Sequence, residues 1–309
     1  MGRRYLPPGR LTGVKIVVSG ASGLIGSALV PALESGDHEV VRLVRRDPRG
    51  AGEVAWDPAA GTIDTAGLHG VEAAVNLSGA NLDRRWTESN KREIVESRVS
   101  TTDLLARTLA HLEPRPSVLV SAGGTGIYGD RGNEILTEDS EPGSGFLADL
   151  GVAWEATAEP ARAAGVRVVN FRQGIVLSRD GGALRRMLLP FRLGVGGRVG
   201  SGKQWWSWVS LDDLVSAYVL ALEGDLAGPV NLASPNPATS AQFTKALGRA
   251  LHRPTVFPLP AFAVKAVFGE KGDAVLLDGQ RVLPARLLDA GFAFAQPDLD
   301  VALEKAIRK

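Results

Sequence analysis

Val14-Lys15-Ile16-Val17-Val18-Ser19-Gly20-Ala21-Ser22-Gly23-Leu24-Ile25-Gly26 decides the fold of this chain. The apolar, β-branched run up to Ser19 reads as a buried strand. The glycines at 20, 23 and 26 predict a tight turn that opens a helix over Leu24 to about Glu34. The first glycine permits the turn, the second lets backbone approach a pyrophosphate, and the third lets the helix pack on the strand. Phosphates would sit at the helix N-terminus, where unpaired N–H groups and the macrodipole favour negative charge. In a chain with 37 glycines among 309 residues a triplet means little alone. Its place between a strong strand and a helix gives it weight. Pro31 falls inside the predicted helix and is expected to kink or shorten it.

His38 to Val44 reads as a second strand, ending in Arg45-Arg46-Asp47. In a dinucleotide fold this end faces the adenosine ribose, where an acidic residue accepts from the 2′-hydroxyl and arginine suits a 2′-phosphate. A charge-assisted contact of that kind is worth about 1.5–3 kcal/mol, enough for roughly tenfold discrimination or better. Arg45 and Arg46 therefore point to NADP(H) rather than NAD(H), the other reading being a solvated basic turn. Glu53 to Trp56 is a weaker third strand. Val71 to Leu77 is a firmer fourth, ending in Ser78-Gly79-Ala80, small residues that let a cofactor lie against the backbone or simply make a turn. A helix is predicted from Thr87 to about Leu112, stopped by Pro114 and Pro116. Ser117 to Ser121 is the fifth strand, Phe146 to about Ala164 a helix with a kink expected at Pro160, and Val166 to Phe171 the sixth strand. Strands alternating with helices predict an α/β fold with a doubly wound parallel sheet of Rossmann type.

Beyond Arg172 the texture changes. Five glycines lie between 193 and 202, followed by Lys203-Gln204-Trp205-Trp206-Ser207-Trp208, which holds three of the six tryptophans. The segment 193–208 reads either as a flap over a bound ring or as a hairpin with packed aromatics. Asp212-Asp213 begins a helix to about Leu222, one aspartate being an N-cap candidate. The linker around 234–240 divides a Rossmann domain, 13–234, from a smaller C-terminal closing domain, 235–309. Residues 1–12, with Arg3, Arg4, Pro7, Pro8 and Arg10 and no apolar core, read as a leader tail rather than a secretory signal.

The formal net charge is +1 with 22% charged residues, which carries no electrostatic footprint for nucleic acid or a membrane surface. There is no cysteine, which excludes disulfides, thiolate metal sites and a cysteine nucleophile. The four histidines are scattered, so no metal site is expected. No apolar run approaches the roughly 18–20 residues needed to span a bilayer. These features predict a soluble, cytoplasmic protein acting on a small molecule, with its oligomeric state open.

The segment Gly20 to Gly26 resembles the glycine motif of extended and atypical short-chain dehydrogenases/reductases. Val75-Asn76-Leu77-Ser78-Gly79, Arg85-Trp86, Ser97-Arg98, Trp154-Glu155, Gly181-Gly182-Ala183-Leu184, Gly200-Ser201-Gly202-Lys203-Gln204, Trp208 and Gly279-Gln280-Arg281-Val282-Leu283-Pro284 narrow the resemblance. Together they resemble the epimerase family proteins, a group similar to sugar-nucleotide epimerases, from about residue 13 to the C-terminus. The resemblance implies an NADP(H)-binding Rossmann domain with a small C-terminal domain, and it supplies no substrate. Cofactor contacts are expected from Gly20, Ser22, Gly23, Leu24, Ile25 and Gly26, from Leu77, Ser78, Gly79 and Ala80, and from Arg45 and Arg46.

In the wider superfamily a Tyr-x-x-x-Lys pair exchanges the proton with substrate, and a serine or threonine orients the reacting oxygen. The only tyrosines here are Tyr5, Tyr128 and Tyr218, none with lysine four residues on. The helix beginning at Phe146 has neither residue through Glu155, so the dyad is absent. Ser121 remains as a hydrogen-bond donor to a substrate carbonyl and, by its strand-end position, as a cofactor contact. Tyr128 is the remaining proton donor, or else anchors a loop. Arg85 and Arg98 could reach the cofactor or an anionic substrate, or be solvated. Arg172 and Gln173 lie at the edge where ligands bind, and Glu155 is either structural or a substrate contact. Three functions remain: an NADPH-dependent oxidoreductase or epimerase-like enzyme, a cofactor-binding sensor or interaction module without chemistry, and a structural protein with a vestigial site.

Overall fold

A computed structural model describes residues 13–308, so the tail at 1–12 lies outside the described residues. Eight strands form the central sheet: β1 (Lys15–Ser19), β2 (Glu39–Val44), β3 (Glu53–Asp57), β4 (Thr62–Ile63), β5 (Ala73–Asn76), β6 (Val118–Gly124), β7 (Arg167–Gln173) and β8 (Gly228–Leu232). Their spatial order is β8-β7-β6-β5-β1-β2-β3-β4, with all pairs parallel except β3 with β4. The chain starts mid-sheet, winds outward through β2 to β4, then returns to β5 and winds the other way. The strand order therefore reverses between β1 and β5, the place where doubly wound sheets bind ligands.

The unbroken apolar run at 16–18 has a direct cause. Ile16 and Val18 face one core and Val17 faces the other, because helices cover both faces. Helices α1 (Gly26–Glu34) and, further on, α6 (Leu211–Glu223) close the first face through Leu29, Leu33, Leu214 and Ala217. Helices α2 (Glu88–His111) and α4 (Glu159–Ala163) close the second through Leu105, Leu109 and Ala161. Pro31 does not break α1: its ring is exposed and Ser35 N still donates to Pro31 O. The predicted helix over 146–164 is two helices, α3 (Phe146–Ala156) and α4, parted at Thr157-Ala158. Pro160 stands in the first turn of α4, where a missing N–H costs nothing.

Within 175–210, Val176 and Val209 pack with the sheet core, but most of the apolar side chains do not. Leu177, then Leu184, Leu188 and Phe191 of α5 (Gly182–Arg192), then Trp206 and Trp208, share one core with Phe243 and Leu247 of α7 (Ser240–Leu251), Val264 of α8 (Ala261–Phe268) and Leu303 of the terminal helix Leu299–Arg308. The smaller unit is thus assembled from both sides of the expected boundary at 234. Between the two readings of 193–208, packing wins. Trp205–Trp206 pairs with Ala238–Thr239, Trp208–Ser210 pairs with Ile175–Leu177, and Trp206 and Trp208 are buried. The cap of α6 is Ser210, whose hydroxyl accepts from Asp213 N, and not an aspartate. Asp213 instead accepts from Ala295 N and Gln296 N, holding the C-terminal segment to α6. Among the described residues no helix is long and apolar enough to cross a membrane.

Candidate cofactor and active site

The turn between β1 and α1 has little freedom. Gly20 has φ +67° and presses on Leu77, where a β-carbon would lie 2.8 Å from backbone. Gly23 N donates to Gly20 O at 3.0 Å. A β-carbon on Gly26 would lie 2.5 Å from Gly20 O, far inside contact distance. Gly23 and Ser22 face outward. The first turn of α1 has no side-chain cap and no acidic residue; Ser27 N and Ala28 N donate to Gly23 O and Ile25 O, so what the turn offers an anion is a positive dipole end without a competing carboxylate. Leu24 touches the start of α5: a β-carbon on Gly181 would lie 3.2 Å from Leu24 Cδ1. Ile25 is the half-buried residue that precedes the helix.

The neighbouring strand end is pinned by a buried polar chain that the sequence reading did not assign. Ser19 Oγ donates to Asn76 Oδ1 at 2.6 Å, Asn76 Nδ2 to Thr102 Oγ1 at 2.7 Å, and Trp154 Nε1 to Thr102 Oγ1 at 2.9 Å. These bonds join β1, β5, α2 and α3 below the crest. The only sequence signal was that Asn76 and Trp154 fall within the family-like motifs. Ser78 N donates to Asn76 Oδ1 and Ala80 N to Ser97 Oγ, which fixes Leu77-Ser78-Gly79-Ala80 as a floor beside the glycine turn. Arg98 lies under Gly79 and is buried, not solvated. Arg85 is exposed on the loop beyond.

That loop is held across the cleft. Asp83 pairs with Arg186 of α5 and, at 2.8 Å, with Lys271 of the short helix Glu270–Gly272; Lys91 pairs with Glu270. On the far side, Gln280 N donates to Trp205 O, Gln280 Nε2 to Gly129 O, and Trp205 Nε1 to Asn133 Oδ1. Asp278 stands on this rim after a π-helical turn at Asp273–Leu277. Burial, with the charges of Asp130 and Asp273, pushes its carboxyl up to about 6. Folding therefore disfavours its ionised form, and stability should fall as pH rises from about 4, where the unfolded group titrates, through 6. Asp278→Asn is expected to raise the melting temperature at pH 7.5 and leave it unchanged at pH 4. Equal shifts at both would mean that the carboxyl does not titrate with folding.

At the second strand end, Arg46 is tied to Glu53 by two bonds at 2.7 and 2.5 Å, and this bond, with Arg49 N, draws the Glu53 carboxyl down to about 2. Arg45 is exposed.

Both residues of the expected catalytic pair, Ser121 and Tyr128, are buried. Strand β6 continues to Gly124, paired with β7, so Ser121 lies three residues inside the sheet and is 2% exposed. The glycines at 123 and 124, not Ser121, form the crest. Tyr128 is fully buried. Its hydroxyl lies 2.7 Å from Asn231 Oδ1 and 2.9 Å from the Thr137 carbonyl, and accepts from Arg172 Nη1 at 2.9 Å. Burial raises its pKa, against the pull of Arg172, opposite to what a catalytic tyrosine needs. Arg172 likewise turns inward: Nε and Nη2 donate to the two oxygens of Glu155 at 2.7 and 2.9 Å. Burial opposes its charge, but Glu155 outweighs it and raises the pKa. Glu155 thus fills the Arg172 fork with an ion pair inside the fold. Gln173 Nε2 donates to the buried Tyr218 hydroxyl at 2.6 Å. The face of α3 that meets the turn at 125–128 carries Leu147 and, four residues on, Gly151. A β-carbon on Gly126 would lie 2.9 Å from Leu147 Cβ, and one on Gly151 would lie 2.8 Å from Ile127 Cβ.

Comparison with known proteins agrees with this architecture. Residues 16–233 match the model of the NAD dependent epimerase/dehydratase family, and residues 259–306 match a domain of unknown function, DUF1731. An epimerase family protein of Mycobacterium tuberculosis is 45% identical over 290 residues, 93% of this chain and 96% of that protein. The crystal structure of human epimerase family protein SDR39U1 (isoform 2) with NADPH is 38% identical, covers 96% of this chain and 100% of that one, and gives a TM-score of 0.87. A nucleoside-diphosphate sugar epimerase from Corynebacterium glutamicum is 35% identical, covers 95% of this chain and 59% of that one, and gives 0.78. With its phosphate-type turn, its reversed strand order and these matches across both units, the chain belongs to the NAD dependent epimerase/dehydratase family, among the epimerase family proteins that include SDR39U1.

Proposed function

We propose that the protein binds NADP(H) along the crest of β1, β5 and β2 and uses it in an oxidoreductase or epimerase-like reaction on a small carbonyl or sugar-like substrate. The observation that carries this reading is the turn at 20–26, where Gly20 and Gly26 have no room for a side chain, Gly23 opens outward, and the helix start has no side-chain cap in the way of a pyrophosphate. The NADPH in the human relative's structure supports it. Arg45 is the residue for the 2′-phosphate, with Arg46 as its brace. Glu53, held by Arg46 and Arg49 N, is not offered to a ribose hydroxyl. When bound, NADPH supplies a hydride from the nicotinamide. The floor at 77–80 orients the dinucleotide, and the rim of Trp205, Gln280 and Gly129 shields the reacting face from water. With Ser121 and Tyr128 buried, the proton comes from water or from the substrate itself.

Calorimetric titration with NADPH and NADH tests this. NADPH should bind at least tenfold more tightly, and Arg45→Asp should remove most of that preference by weakening NADPH alone. Equal losses for both would place the 2′-phosphate elsewhere. A non-catalytic NADP(H) sensor is the second reading, favoured by the apolar Leu147/Gly151 face where a tyrosine–lysine pair would stand. Tight NADPH binding without oxidation by any of a panel of small carbonyls would select the sensor.

A further inference from the structure

Arg172, Arg167 and Arg98 are buried or half-buried beside the sheet, and the first two have their forks filled. Arg172 holds the Glu155 carboxylate, and Arg167 donates to the carbonyls of Ala221, Leu222 and Leu226. Arg98, only 7% exposed, differs. Its Nη1 donates to Ile94 O at 3.0 Å within its own helix, its Nε has no partner, and no carboxylate offsets the burial that draws its pKa down to about 10. The guanidinium lies 5.0 Å from the Trp154 ring centroid, which supports it from one side. On the other side it presses on Gly79, where a β-carbon would fall 3.0 Å from Cζ. Gly79 belongs to the floor beside the glycine turn. A buried cation with an open fork at that point is a costly arrangement that an anion would relieve.

We propose that Arg98 is an anion receptor completed by ligand: its open fork takes an oxyanion, either a phosphate of the dinucleotide or the acidic group of a small substrate bound beside it. The cofactor source rests on the function proposed above; the anion chemistry does not. Arg98→Met fills the same space without charge, and Arg98→Lys keeps charge without the fork. A purely structural arginine would leave Arg98→Met less stable. A receptor leaves the ligand-free Arg98→Met protein melting at or above the wild type while its binding is lost.

Titration of wild type and both variants with NADPH separates the sources. If a dinucleotide phosphate fills the fork, both variants bind NADPH at least tenfold more weakly. If a substrate fills it, NADPH affinity is unchanged, and small dicarboxylates or phosphate monoesters raise the melting temperature of NADPH-loaded wild type but not of Arg98→Met. Should wild type fail to bind NADPH, the cofactor reading falls, and inorganic pyrophosphate decides: protection of wild type and not of Arg98→Met upholds the receptor. Should Arg98→Met not fold, or melt well below the wild type, the proposal is overturned. It is also overturned if both variants match wild type with every probe.

Discussion

Gly26→Ala is expected to weaken NADPH binding at least a hundredfold, about 2.8 kcal/mol at 1.4 kcal/mol per tenfold, and to lower the melting temperature as well. The added methyl would fall 2.5 Å from Gly20 O and 2.6 Å from Ala21 Cα, so α1 must move off β1 and carry its N-terminus away from the phosphate position. Gly23→Ala is the informative partner. Its β-carbon meets only Gly20 O, at 3.3 Å, and points outward, so the fold should survive while the methyl occupies pyrophosphate space. Calorimetry and thermal melting of both variants check this. Loss of stability without loss of affinity in Gly26→Ala would mean that the turn does not hold the cofactor.

Glu155→Ala should cost about 3–5 kcal/mol, because it leaves the Arg172 guanidinium buried without its counter-charge. The side chains are 7% and 20% exposed, so water cannot take over the carboxylate's role. For a chain of this size that corresponds to a fall of roughly 5–8 °C in melting temperature. Arg172 also donates to Tyr128, which bridges to Asn231 on β8. The loss should therefore loosen the edge formed by β7 and β8, seen as faster amide exchange there. Glu155→Gln keeps an acceptor and should lose less. Wild-type melting of Glu155→Ala would show that solvent reaches Arg172 after all.

The phosphate-type turn and the alternation of strands and helices were legible because both rest on local rules: glycine where no side chain fits, and unbroken apolar runs where both faces are covered. The roles of Tyr128 and Arg172 were not. Residue type and strand-end position suggested ligand contacts, whereas Glu155, Asn231 and Glu138, from distant parts of the chain, converge to turn both side chains inward. Strand β6 runs three residues beyond Ser121 because Gly123-Gly124, which look like a loop in sequence, pair with Arg172 and Gln173 and extend the strand. The packing of the tryptophan segment was hidden for a related reason. Nothing in the order of residues says that Trp206 will pack on Phe243 rather than on the sheet.

The close seating of α3 on the turn at 125–128 has an evolutionary consequence. A tyrosine at 147 would keep the β-carbon that seats on Gly126, but without its lysine it would gain no lowered pKa. A lysine at 151 alone would drive its β-carbon into Ile127. A lysine at 151 therefore needs the turn at 125–128 to move away from α3 in the same step, which couples that substitution to a second change instead of leaving it open to a single one.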